Sequence, residues 1–122
     1  MAINASKLEQ ELAQFTGTEH YYRLYPKLYL TDGTKYLAEH AECFWLFDLF
    51  WSHLAGVDEE IEPFTVLKIS VLNSSATIGI EDGNGKILAS QFVEYTDFQL
   101  PVLHLYGCWN GQAWVAMLTS EY

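Results

Sequence analysis

Basic side chains are the first thing this sequence is short of. Its 122 residues carry six Lys and Arg against sixteen Asp and Glu, a formal charge of −10. The six, Lys7, Arg23, Lys27, Lys35, Lys68 and Lys86, are scattered along the chain. Holding nucleic acid requires clustered bases to neutralise a row of phosphates. The balance therefore argues against a nucleic-acid partner, and for the same reason against an anionic membrane surface. Cysteine is nearly absent, with Cys43 and Cys108 alone. The opening MAINASKLEQELAQF sets polar residues where a secretion signal has its apolar stretch. The expectation is a cytoplasmic chain with free thiols. No apolar run is long enough to span a membrane. The richest, CFWLFDLFW at 43–51, falls far short of the roughly 20 residues required, and Glu42 and His53 flank it. Repeats and low-complexity segments are missing too. So are the motifs of common enzymes: DGNGK (82–86) lacks the spacing of a phosphate loop, and there is no nucleophile elbow or metalloprotease signature. A calcium loop needs more carboxylates than this stretch offers.

What is present is a dense apolar payload. Half the residues are hydrophobic, with four Trp, eight Tyr and seven Phe, which suits one packed domain over residues 1–122. Residues 6–15 read as a short helix with an apolar stripe of Leu8, Leu12 and Phe15, and Ser6 with Glu9 fits a capping box. HYYRLY and KLYLT (20–31) are strand-like, and Pro26 between them places them at a sheet edge. Thr31-Asp32-Gly33 then offers an N-cap for a long aromatic helix over about 34–54, roughly 30 Å at 1.5 Å per residue. From Phe64 the period falls to two. Leu67, Ile69 and Val71 share one face, as do Ala76, Ile78 and Ile80. DGNG (82–85) and Asn110-Gly111 are hairpin turns. The pattern predicts an α+β fold: an antiparallel sheet of about five to six strands, a C-terminal meander, packed by one long aromatic helix and the short N-terminal helix.

A continuous helical wheel over 34–54 has one narrow polar stripe, Lys35, Glu39, Glu42 and His53, with Leu46 inside it. The rest is apolar, far wider than one sheet face covers. The last two strands, PVLHLYGCW (101–109) and QAWVAMLT (112–119), are apolar on both faces. Two elements with surplus apolar surface point to a protein–protein interface, a homo-oligomer such as a dimer or a protein partner. Trp45, Leu46, Phe50, Tyr106 and Trp114 are the candidate interface residues.

Asp48 falls in the apolar sector of that wheel. A buried carboxylate must be hydrogen-bonded, ion-paired or protonated. A bond to a Tyr hydroxyl, a Trp indole, Ser52 or Arg23 is one reading. The other is an acid–base group in a helix–sheet pocket, working with His40. A metal held by His40 and Cys43 with His104 and Cys108 fails on distance. Residues four apart on a strand lie about 13 Å apart. No metal or cofactor is expected.

Five blocks, FTGTEHYYRL (15–24), LTDGTKYLAEHAECFWLFD (30–48), EDGNGK (81–86), EYTDFQLP (94–101) and SEY (120–122), resemble a family of small proteins known as a domain of unknown function. The family is met in bacterial, plasmid and phage sequences. The resemblance covers nearly the whole chain. It implies a stand-alone cytoplasmic domain without an assigned activity, and an accessory role in mobile elements. Within those blocks Asp82 and Asp97 sit in turns, where Asx-type bonds are expected. With Asp32 they form an acidic cluster if the fold brings them together. Two functions remain: a non-enzymatic interaction or regulatory protein presenting an aromatic, acid-rimmed surface, and a small enzyme or ligand-binding domain built on Asp48 and His40.

Overall fold

The computed structural model describes residues 4–122. Three α-helices, seven strands and a final 3-10 turn follow in the order α1 Ala5–Leu12, β1 Tyr21–Tyr25, β2 Leu28–Thr31, α2 Asp32–His40, α3 Phe44–Leu54, β3 Phe64–Leu72, β4 Ser75–Glu81, β5 Ile87–Val93, β6 Val102–Trp109, β7 Trp114–Leu118 and Thr119–Glu121. The α+β class stands, but the sheet has seven strands, ordered β1-β2-β7-β6-β3-β4-β5. All pairings are antiparallel except β2 with β7, which is parallel. The C-terminal half is also not a simple meander. After β3-β4-β5 the chain crosses back, and β6 pairs with the far side of β3. No helix among the described residues is long and apolar enough to cross a membrane.

The expected long helix is two helices. α2 ends at His40 with Ala41 as its C-cap, Glu42 adopts φ 53°, and the amide of Cys43 donates to the carbonyl of Ala38 at 3.0 Å. This is the bond of a Schellman stop, whose left-handed position is usually glycine. Here it is Glu42, so the break carries no glycine signal. The break also resets the helical phase. Within α3, Phe44, Asp48 and Ser52 recur every fourth residue and form the exposed stripe, while Leu46, Phe47, Phe50 and Leu54 are buried. α1 starts earlier than the Ser6–Glu9 box implied. Asn4 caps it by accepting from the Lys7 amide at 2.9 Å.

Side chains alternate across a strand, so the registers define two faces. One carries Leu28, Leu30, Leu67, Ile69, Ile78, Ile80, Leu105, Trp114, Ala116 and Leu118, all in the main core with Leu8, Leu37, Leu46, Phe47 and Phe50 of the helices. α3 lies diagonally over this face. Trp45 near its start lines a cleft with Val93 of β5, and Trp51 stacks on Tyr25 of β1 at 5.7 Å between centroids. Between them Phe50 presses on β6 at Gly107. A β-carbon there would stand 2.7 Å from the ring and 2.6 Å from Thr65 Oγ1, so only glycine admits this approach. Among the described residues no α-helix lies on the opposite face.

Candidate functional site

The proposed acid–base pair does not assemble. Asp48 is exposed, not buried, because it lies on the outer stripe of α3. Its Oδ1 accepts from the Tyr25 hydroxyl at 2.7 Å, one of the partners the sequence offered. That bond leads the causes that raise the Tyr25 pKa, since ionising the phenol would give up the bond and set two negative charges together. His40 is also exposed. Its Nδ1 donates to the Tyr36 carbonyl at 3.0 Å, and its ring stacks on Tyr36 at 3.8 Å. Neither Asp48 nor His40 lines the clefts of about 350, 300, 390 and 350 Å³ formed by the described residues.

The acidic cluster does not form either. Asp32 and Asp82 leave opposite ends of the sheet, and no group of three or more His, Cys, Asp or Glu among the described residues could hold a metal ion. Each aspartate has a local reason. Asp32 accepts from the Glu19 amide and the Tyr22 hydroxyl, both at 2.9 Å, and the Glu19 bond most of all holds its carboxyl below the usual range. Asp82 closes the β4–β5 turn, accepting from the amides of Asn84 and Lys86 at 2.8 and 3.1 Å, while Gly83 and Gly85 supply positive φ. The Asx bond expected of Asp97 is made by its neighbour. Thr96 Oγ1 accepts from the Phe98 amide at 3.1 Å, and Asp97 is exposed. The crossing from β5 to β6 thereby drops Phe98 and Leu100 into the core.

Both thiols are shielded. Burial pushes Cys43 up to about 12 and Cys108 up to about 11, so neither is a thiolate nucleophile at neutral pH.

A contact that no sequence signal announced fixes the start of α2. Glu121 Oε1 accepts from Thr31 Oγ1 at 2.6 Å and from the Leu118 amide at 3.0 Å, and Oε2 accepts from the Gly33 amide at 3.0 Å. Thr31 and Thr34 cap the same turn, and Thr34 Oγ1 also donates to the Ala116 carbonyl of β7 at 2.8 Å. The carboxylate sits on a helix N-terminus, where unpaired amides and the dipole favour negative charge. A β-carbon on Gly33 would lie 2.6 Å from that carboxylate, so the glycine makes room for it.

The interface candidates divide. Leu46, Phe50 and Trp114 are core residues, exposed by 0%, 0% and 2%, so none presents a surface in the folded chain. Leu46 moved inside because the break after α2 rotated α3 relative to a continuous wheel. Trp45 and Tyr106 are half-buried. Tyr106 belongs to the face that no helix covers, together with Phe64 and Val66 of β3, Cys108 of β6, Val115 and Met117 of β7 and Tyr29 of β2. Phe64, Tyr106 and Tyr122 form a three-ring group there, with centroids 5.0 to 5.5 Å apart. At the β1–β2 end the same face dips into a groove of about 350 Å³ lined by Tyr21, Pro26, Tyr29, Gln112 and Val115. Its charge is unlike the rest of the chain. Glu81 is the only acid on the strands of the described residues, and Lys68 holds it at 3.1 Å.

A family model described as "Family of unknown function (DUF6876)" matches residues 6–122. The chain belongs to that family. No curated protein and no solved structure matches it. In this chain the blocks that carried the resemblance do structural work: the α2 cap, the β4–β5 turn, the β5–β6 crossing and the Glu121 lock.

Proposed function

We propose that this chain is a non-enzymatic interaction protein that binds a protein partner through the open face of its sheet. The observation that carries the reading is the uncovered three-ring group of Phe64, Tyr106 and Tyr122 on a face whose strands hold one acid, in a chain of net charge −10. Clustered aromatics near the centre of a patch supply most of the binding energy of such interfaces. The net charge of −10 favours a partner with basic groups around an apolar centre. The groove beside Tyr21 and Tyr29 gives that partner a place for one anchoring side chain. We place this activity in the cytoplasm, with both thiols reduced, as an accessory role in a mobile element.

Native mass spectrometry of the untagged chain, purified from its own kind of cell, tests this. A stoichiometric protein partner is expected. It should be lost in the double variant Tyr106→Glu with Tyr122→Glu, which should keep its circular dichroism spectrum. A partner retained by that variant sinks the open-face assignment. A monomer carrying a stoichiometric small molecule would replace the reading with a ligand-binding or enzymatic one.

A further inference from the structure

The sheet ends in two outer strands, and they are built differently. β1 is short, carries Arg23 at its centre and runs into Pro26, and each outer strand slips register once, β1 between Arg23 and Tyr25 and β5 between Ile87 and Ala89. Charge and proline are devices that blunt an exposed edge. β5 reads ILASQFV, seven residues without charge, glycine or proline. Ile87 and Phe92 on it are 65% and 61% exposed. Lys86 borders it at one end and Glu94 at the other, and both are exposed.

We propose that β5 is a dimerisation edge, which a second copy of this chain extends by adding its own β5 antiparallel about a two-fold axis through Ser90. The two sheets then join into one of twice seven strands. The charges argue for this occupant and this register. Lys86 and Glu94 border opposite ends of β5, so antiparallel pairing about Ser90 brings each Lys86 to the partner's Glu94, and the symmetry makes that contact twice. Phe92 comes opposite the partner's Leu88, where β5 shifts its own register against β4. No acid lies on β5, so the approach places no like charges opposite one another despite the net −10 of each copy. Trp45, beside Val93 on the helix side of this edge, becomes a flank of the contact. A two-fold axis normal to the sheet leaves both open faces on the same side, so the dimer offers two binding faces in one plane. The pairing itself does not rest on the open-face reading.

Sedimentation equilibrium of the intact, untagged chain tests the proposal over concentrations from about 5 to about 500 µM, the range where weak self-association is read. The wild type should move from its 14.0 kDa monomer toward twice that mass. Ser90→Lys sets two ammonium groups on the axis and should abolish the dimer. Glu94→Lys turns both ion pairs repulsive and should weaken association about tenfold or more, while the double variant Lys86→Glu with Glu94→Lys should restore it to within about threefold. Circular dichroism checks each variant's fold, and the charge swap decides the matter should Ser90→Lys fail to fold. A wild type that stays monomeric throughout overturns the proposal. So does a dimer indifferent to Ser90→Lys and Glu94→Lys. A dimer lost instead through Tyr106→Glu with Tyr122→Glu also overturns it, since that contact would be the open face.

Discussion

The two faces of this sheet are made by the same strands, and both are apolar, yet they end in different surroundings. On the helix side Leu67, Ile69, Ile78, Ile80 and Leu105 are sealed beneath α2 and α3. On the other side Val66 and Val115 are buried only by their neighbours, and Tyr106, Met117 and Cys108 remain half-exposed. A one-sided antiparallel sheet ordinarily sets polar residues toward water. The helix face satisfies folding, so its apolarity is accounted for by the core. The open face adds aromatic rings beyond what folding requires, and that excess is why the binding reading rests there.

Truncation should separate the two faces sharply. Phe50→Ala removes the ring that α3 presses on Gly107 and should lower stability by about 3–5 kcal/mol, the range for large buried aromatics. Tyr106→Ala on the open face should cost about 1 kcal/mol or less, because its ring is partly solvated already. Urea unfolding of both variants reads the difference. Equal losses would mean that the open face contributes to the core after all.

The next effect belongs to the junction where the chain after β7 meets α2. Glu121→Gln keeps the shape and removes the charge that three donors point at, Thr31 Oγ1 and the amides of Gly33 and Leu118. Charge-assisted bonds at a helix N-terminus put the loss at about 1–2 kcal/mol, measured by the same denaturation. Asp32 adds a pH signature at the other side of this turn. Its folded pKa is depressed, chiefly by the Glu19 amide, so its stabilisation is present above the unfolded carboxylate value near about 4 and is lost as pH falls through the lower folded value. Asp32→Asn should flatten that acid limb of the stability profile and leave the neutral range with a pH-independent offset.

What could be read from the sequence followed local periodicity. Leu67, Ile69, Ala76, Ile78 and Ile80 were assigned to one face by alternation, and they are core residues. The turns at 82–85 and 110–111 announced themselves through Asp, Asn and Gly. Pro26 placed its strands at an edge; β1 lies there, but β2 is one strand in, paired with β1 and β7. The rest depended on contacts between distant segments. Nothing local says that β2 pairs in parallel with β7, or that Glu121 reaches Gly33. The break after α2 was hidden because Glu42 occupies a left-handed position where glycine would have marked it. That single omission carried two further errors, Leu46 set outside and Asp48 set inside. The binding site was half legible. Tyr106 came from the two-sided apolarity of β6, whereas Phe64 and Tyr122 needed the register to bring their rings to it.

Asp48 gives the smallest expected effect and the cleanest check of the corrected helix phase. A wheel without the break buries Asp48, which would make Asp48→Asn tolerable and Asp48→Leu costly. On the exposed stripe the order of severity disappears. Either substitution removes one solvent-exposed bond from the Tyr25 hydroxyl and should change stability by less than about 1 kcal/mol. The Tyr25 phenol should then titrate at lower pH than in the wild type, because the hydrogen bond and charge that raise its pKa are gone. Ultraviolet titration of the tyrosines reads that shift, with Tyr25→Phe identifying its contribution. A leucine at 48 that destabilises strongly while asparagine does not would return this residue to the interior and the helix to a single uninterrupted element.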